Sequence, residues 1–402
     1  MRLPSLPRPR QVAQAASNAR AWLRRDPAVM RAGQTPFQVI HQHDIAQLRY
    51  YPPLPAGQID VDGEPLDVAQ DRHAIPLVLV APLAVNMLIY DLFPERSLVR
   101  YLRARGFELY LVDWGRPARA HDHWNLATYI SELLPQMLAK VREHSGEQKL
   151  SLHGWSFGGL FSLCHTALSD DKDIVNLALI GAPCDYHANG ALGVQYQRLA
   201  AAMGWLEQRA GWQVHQSKPG RWRSPGWANS LAFKLTSPVA SARSYIELIA
   251  NLRDHEFVSN HATNSAFLDD MVAYPGAVMQ DIIQYLWTDN VLPTGQLPIA
   301  GCDARFSAVT ANTLLVSGRQ DMIVTRACTA PIQQLVSSKD VSLIEVPGGH
   351  TGILGGSQAA RAIWPAVADW LAARSGGLVQ ASEGNTGSAT RTSKTRRVRA
   401  AG

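Results

Sequence analysis

Five consecutive residues, Gly154-Trp155-Ser156-Phe157-Gly158, set a hydroxyl between two glycines in the pattern G-x-S-x-G. So short a pattern recurs by chance, and its meaning depends on its flanks. The apolar run "KLSLHG" leads in like a strand, and "GGLFSLCHTAL" leads out like a helix. Glycines here permit the crowded backbone that holds a side chain at the tip of a sheet. A helix starting beneath the serine turns its N-terminus, and the N–H of Phe157, toward any developing negative charge. A plain strand-to-helix turn would use the same glycines but would need no hydroxyl between them.

A serine hydroxyl is a weak nucleophile unless an adjacent base takes its proton, and that base must be oriented by a third group. On this type of sheet the partners follow in the order Ser, Asp or Glu, His. "LLVSGRQDMIV" supplies Asp321 just past a strand end, and "LIEVPGGHTGIL" supplies His350 in a glycine-rich loop after the next strand. The assigned roles are Ser156 as nucleophile, His350 as general base and then acid, and Asp321 as orienter of the imidazole. A second oxyanion donor is expected from the loop after "PLVLVAP", at the backbone N–H of Ala84 or Val85.

Other polar residues read more plainly. His153 precedes the turn and is expected to support the loop. His121-Asp122-His123 lacks the spacing of a metal site, and no metal or cofactor is expected. Asp113, after "FELYLV", reads as a loop-binding residue. Cys164, Cys184, Cys302 and Cys328 are widely spaced with no CxxC pair, which points to reduced thiols in a cytoplasmic protein.

The elements that must position these groups alternate along the chain. "FQVIHQHDIAQLRYY", "PLVLVAP", "FELYLVDW", "KLSLHGW", "IVNLALIGAP", "TLLVSG" and "VSLIEVPG" read as strands, separated by helix-like segments such as "RSLVRYLRAR", "LATYISELLPQMLAKVREH" and "RACTAPIQQLVSS". Continuous apolar strands alternating with helices imply an α/β fold, a mostly parallel sheet covered on both faces. The alternation stops between residue 187 and residue 300, where the segments are helix-like, carry Trp205, Trp212, Trp222, Trp227 and Trp287, and read as an inserted cap or lid. Those tryptophans serve either a substrate surface or a helical core. The expected units are a basic arm over 1–36, core over 37–186, cap over 187–300, core over 301–374 and a basic tail over 375–402, rich in Gly, Ser, Thr and Arg and expected to be disordered. In the arm, Val12, Ala15, Ala19 and Trp22 recur at helical spacing, so it reads as a helix packed on the body, an element that binds a lipid or granule surface, or a transit peptide. The net charge of +5 is concentrated in the two ends and not in the middle, so no specific nucleic-acid partner is expected, and the tail's charges offer only a weak attraction to nucleic acid or an anionic surface. The longest apolar run, residues 76–90, is too short to span a bilayer and holds Pro82 and Asn86.

From about residue 36 to residue 370 the chain resembles the α/β-hydrolases and, more closely, the polyhydroxyalkanoate synthases. The likeness is carried by "TPFQVIHQHDIAQLRYYPP", "YDLFPERSLVRYLRARGFELYLVDWGRP", "LSLHGWSFGG", "TNSAFLDDMVAYPGAVMQDIIQYLWTDNVL", "VSGRQDMIV" and "GGHTGIL". The resemblance implies an α/β-hydrolase fold with an inserted helical cap. It implies a cytoplasmic acyl-transfer enzyme that takes 3-hydroxyacyl-CoA, works at a polyester granule surface, and acts as a dimer or with a partner subunit. It places Ser156 at the nucleophile, Asp321 at the acid and His350 at the base. Two positions depart from the family pattern: Ser156 stands where the synthases typically carry cysteine, and Met322 replaces the histidine that commonly follows the aspartate.

A serine ester is a less activated acyl donor than a thioester. The elbow serine therefore favours a hydrolase or single-turn acyltransferase acting on hydroxyacyl esters or acyl-CoA thioesters. Polymerisation of 3-hydroxyacyl-CoA is the alternative. A non-catalytic granule-binding protein is the reading from another class, and it gives no reason to keep Ser156, Asp321 and His350 together.

Overall fold

The computed structural model describes residues 9–26, 29–169, 171–236, 238–299 and 302–380. The first helix, α1 (Pro9–Leu23), precedes an eight-stranded sheet: β1 (Gln38–His43), β2 (Ala46–Tyr51), β3 (Leu77–Val80), β4 (Leu109–Asp113), β5 (Leu150–Trp155), β6 (Ile174–Ile180), β7 (Asn312–Gly318) and β8 (Val341–Val346). Their spatial order is β1-β2-β4-β3-β5-β6-β7-β8. β1 and β2 form an antiparallel hairpin that joins β4, and every other pair is parallel. "FQVIHQHDIAQLRYY" is therefore one hairpin at the sheet edge, turned at Asp44 with φ of 52°. The apolar runs are buried on both faces because helices cover both: all four residues of β3 and all six of β5 are inaccessible.

Helices α2 (Leu98–Ala104), α3 (Leu134–Ser145) and α4 (Phe157–Leu168) link the strands from β3 to β6. Trp114, Tyr129 and Phe161 form an aromatic cluster between them, with the rings of Tyr129 and Phe161 stacked at 5.8 Å. Burying a side chain of that size contributes about 1.5–3 kcal/mol. The crossovers from β3 run first to β4 on one side, and β5 follows on the other. The order reverses around β3, so a crevice opens beyond its carboxyl end, where α/β sheets bind ligands.

After β6 the chain enters α5 (Gly190–Ala210), α6 (Gly226–Leu235), α7 (Pro238–Ala250) and α8 (His255–Asp269), with a further helix over Gly276–Asp281 that loosens into a π turn over Ile282–Thr288. A hairpin, Gln296–Ile299 against Cys302–Arg305, returns it to β7. Paired strands thus lie on both sides of the boundary expected between cap and core. Leu297 and Ile299 are buried while Gln296 and Pro298 are exposed, a period too short to stand out in the sequence.

Other segments also differ from the sequence expectation. In α1 the anchors are Asn18 and Trp22 rather than the whole apolar stripe: Asn18 donates to the Leu252 carbonyl at 2.9 Å, and Trp22 meets the rings of Tyr245 and His261. Val12 stays half exposed. "RACTAPIQQLVSS" forms two single turns, Arg326–Thr329 and Ile332–Leu335, because Pro331 interrupts the helix. The start of the expected disordered tail is ordered. Ser375 is buried, its carbonyl accepts from Ile75, and Leu378–Gln380 pairs with Asp71–His73 after Gly376 turns the chain at φ of 75°. Residues 381–402, the rest of that tail, lie outside the described residues.

Candidate active site

Ser156 is the hinge between β5 and α4. Its backbone sits at φ 54° and ψ −124°, a strained conformation for a residue with a side chain. Its N–H donates to the Ile180 carbonyl at 2.8 Å, and its own carbonyl accepts from Gly159 and Leu160. The flanking glycines are required by space. A Cβ on Gly158 would overlap the Val80 carbonyl of β3, and one on Gly154 would overlap the Gly158 carbonyl. The elbow therefore packs backbone on backbone, leaving Ser156 half-buried at the carboxyl edge of the sheet.

Asp321 and His350 arrive at the same edge, from the loops after β7 and β8. The His350 Nδ1 lies 2.7 Å from Asp321 Oδ2, and both residues are buried. The other carboxylate oxygen, Oδ1, accepts the backbone N–H groups of Ile323 at 2.9 Å and Val324 at 2.8 Å, which fixes the carboxylate plane. The two loops are stitched together: Gln320 donates its N–H to the Gly348 carbonyl, and its side-chain oxygen accepts the Gly348 N–H at 2.6 Å. Trp155 closes the group. Its indole N–H donates to the His350 carbonyl at 3.1 Å, and its ring packs on the imidazole with centroids 5.4 Å apart. Gly181 also borders the ring, since a Cβ there would lie 3.4 Å from His350 Cε1.

The structure thus brings Asp321 and His350 into direct contact, and Ser156 follows Trp155, whose side chain touches His350. Among the described residues no hydrogen bond joins the Ser156 hydroxyl to His350. Catalytic hydrogen bonds are often long before substrate binds. Phe157 opens α4, and the first N–H groups of a helix have no acceptor within it.

Ala84 and Val85 are buried in the loop after β3, and Ala84 takes φ of 64°. The Ala84 carbonyl accepts the Val272 N–H at 2.9 Å. This loop and the elbow meet beyond β3, because β3 pairs with β5 up to Val80 and Gly154.

The remaining sequence candidates lie elsewhere. His153 is inside β5, and burial pushes its pKa down to about 4, so it is a neutral core histidine at pH 7. Asp113 pairs with Arg49 at 2.5 Å and accepts the Gly115 N–H at 2.9 Å. His121 receives the Ala118 N–H and faces Asp44, while His123 bonds to the Ala120 carbonyl. Burial raises the thiol pKa of Cys184 and pushes that of Cys328 up to about 12.

A cavity of about 320 Å³ opens onto His350, bounded by α6, α7, α8 and the acid and histidine loops. Ser241, Tyr245, Thr351 and Lys234 line it together with the apolar Leu268 and Met322, and there is no tryptophan among its described lining residues. Trp205 and Trp227 are instead exposed, and Trp287 stacks on Tyr196 at 5.2 Å. Sequence reasoning missed Trp155, Gln320, Gly181 and Asn86. Trp155 occupies the free position of the elbow pattern, and the others act through contacts between segments far apart in sequence.

The fold and the edge cluster define an α/β-hydrolase. The model of the alpha/beta hydrolase fold family matches residues 83–357, and the chain belongs to that family. It is also similar to the poly(3-hydroxyalkanoate) polymerase subunit PhaC of Haloferax mediterranei, 27% identical over 347 residues that cover 85% of this chain and 65% of that protein. The subunit PhaC of Allochromatium vinosum is 26% identical over 303 residues, covering 75% of this chain and 82% of that one. The resemblance carried by the sequence motifs therefore extends over most of the chain, which spans just under two thirds of the length of the Haloferax protein. Among solved structures, a soluble variant of monoglyceride lipase from Saccharomyces cerevisiae aligns over 86% of this chain and 96% of its own, at 12% identity and a TM-score of 0.49.

Proposed function

We propose that this chain is an acyl-transfer enzyme that polymerises 3-hydroxyacyl groups delivered as CoA thioesters, with Ser156 as nucleophile, His350 as base and acid, and Asp321 as orienter. The observation that carries this reading is the similarity to polymerase subunits over 85% of the chain. It reverses the order that the elbow serine alone suggests. In the proposed cycle Ser156 Oγ attacks the thioester carbonyl, and its proton passes to His350. The carbon–sulfur bond breaks, the thiolate takes the proton from His350, and CoA leaves an acyl-serine ester. The hydroxyl of a second 3-hydroxyacyl-CoA, deprotonated by His350, then attacks that ester; the Ser156 Oγ–acyl bond breaks, Oγ takes the proton back from His350, and the lengthened chain, now on the second CoA thioester, is ready to return to Ser156. Ester-for-ester exchange is close to isoenergetic, and each added unit still consumes one thioester, so a serine can sustain growth. The N–H groups of Phe157 and of Ala84 or Val85 would hold the oxyanion at each attack.

Ser156 supports a second reading, a hydrolase or single-turn acyltransferase, in which water or another alcohol takes the acyl group. The substrate would enter through the cavity at His350. Attachment to a granule surface and assembly as a homodimer belong to the polymerase reading. The two readings separate when purified protein is mixed with 3-hydroxybutyryl-CoA, free CoA is followed, and the acyl product is analysed by mass spectrometry beside Ser156→Ala. Oligoester supports polymerisation. Free hydroxy acid supports the hydrolase, and CoA release that survives in Ser156→Ala overturns both.

A further inference from the structure

Asn86 ties the loop that carries Ala84 and Val85 to the cap, through contacts that none of Ser156, Asp321 and His350 shares. It is buried, and its side-chain amide is spent in two directions. The Oδ1 atom accepts the Leu88 N–H at 3.1 Å and so caps the short turn Met87–Tyr90. The Nδ2 atom faces three carbonyls at the end of α8: Ala266 at 3.3 Å, Phe267 at 3.3 Å and Asp270 at 3.0 Å. The last carbonyls of a helix have no partner within it, so Asn86 serves from outside as part of the cap of α8. Two residues beyond Asp270, Val272 donates its N–H back to the Ala84 carbonyl at 2.9 Å. The loop is gripped on both sides by one segment of the cap, 266–272, and Arg116 adds an ion pair to Asp270 at the rim.

We propose that Asn86 is a positioning residue that registers the oxyanion loop to helix α8, so that the oxyanion hole is complete only while the cap is seated. This rests on the acyl-transfer reading given above. The physical basis is directional. Ala84 holds φ of 64° without a glycine's freedom, so the turn persists only while neighbours over-determine it. Trp114 holds the start of the loop from the sheet side, through its indole N–H to the Ala81 carbonyl, but the hydrogen bonds from other segments that reach the Ala84 carbonyl and the Asn86 amide come from the cap. Displacement of α8 would remove the Asn86 and Val272 contacts together and release the Ala84 and Val85 N–H groups from the site.

Asn86→Asp tests this. It keeps the oxygen that caps Leu88 and turns the donor that faces three carbonyls into an acceptor. Asn86→Ser, which can still cap the turn but cannot reach α8, is the second variant should the first not fold. Two quantities are measured: hydrogen exchange across 83–88 and 266–272, and inactivation by a fluorophosphonate, resolved into its binding constant and its limiting rate. Both segments are expected to exchange faster together while β5 and α4 keep their protection. The limiting rate should fall by roughly 10- to 100-fold, a large share of the 10²–10³ lost with a whole oxyanion donor, with the binding constant within about twofold. Unchanged exchange in 83–88, an unchanged limiting rate in a variant whose loop is released, or uniform loss of protection across the sheet would each overturn the proposal. If the unmodified protein does not react with the fluorophosphonate, the serine reading fails by itself, and the exchange data still decide whether Asn86 couples loop to cap.

Discussion

Trp155 meets His350 twice, through a 3.1 Å hydrogen bond from its indole N–H to the His350 carbonyl and through ring packing at 5.4 Å. Trp155 is also the residue before Ser156, so the side chain that anchors the histidine loop and the proposed nucleophile leave the same strand end one residue apart. Trp155→Phe keeps most of the ring contact and removes the donor. A lost buried hydrogen bond costs about 1–3 kcal/mol. The expected result is a thermal midpoint lower by a few degrees and a fall in kcat larger than any change in KM, read by calorimetry and steady-state CoA release.

Ser156→Ala is expected to lower kcat/KM for 3-hydroxyacyl-CoA by about 10⁴-fold or more, with unchanged folding, since removing a nucleophile collapses the whole unit. Ser156→Cys introduces the nucleophile that the sequence resemblance implies for the synthases. It should lengthen the oligoester product relative to the serine protein, measured by mass spectrometry. Shorter products from the cysteine variant would favour hydrolysis as the native reaction.

Asp321→Asn removes the charge that faces His350 while leaving an oxygen for the Ile323 and Val324 N–H groups. Holding the wrong imidazole tautomer costs about 10⁴ in kcat in Ser-His-Asp triads. The rate of CoA release should fall by that order while circular dichroism is unchanged.

Gly158→Ala puts a methyl group into the Val80 carbonyl. Backbone cannot yield as a flexible side chain would, and overpacking costs typically about 1–3 kcal/mol. Stability should fall by at least that amount, measured by urea unfolding, and fluorophosphonate labelling of Ser156 should be lost, because β3 and the elbow can no longer approach.

His153 gives the protein an acid-sensitive core. Its pKa drops from 6.5 unfolded to about 4 folded because burial disfavours the charged ring. Between those values the unfolded chain binds the extra proton, so stability is full above about pH 6.5 and declines as pH falls toward 4. A shift of that size corresponds to about 3 kcal/mol. His73 and His165, also lowered first by burial, act in the same direction. In His153→Gln the slope of unfolding free energy between pH 6.5 and pH 4 should flatten, as urea titrations at several pH values would show.

Much of this protein follows from sequence-local rules. Buried parallel strands must be apolar throughout, so β3, β5, β6 and β7 were legible as runs. The elbow needs glycines where backbone meets backbone, so Gly154 and Gly158 marked Ser156. Asp321 and His350 stood out because each follows a strand whose end had to reach the same sheet edge. Short alternating pieces escaped, such as the pairing of Gln296–Ile299 with Cys302–Arg305, and so did the ordering of 375–380, where Gly376 turns Leu378–Gln380 onto Asp71–His73, a pairing that composition cannot show. The tertiary structure alone decided how the cap is held. Asn86 reaches carbonyls 180 to 184 residues away, and Trp22 wedges against His261 across a still greater span of chain. Periodicity reports which face of an element is buried, but a hydrogen bond between distant segments depends on where the folded sheet delivers them, and only the packed structure fixes that.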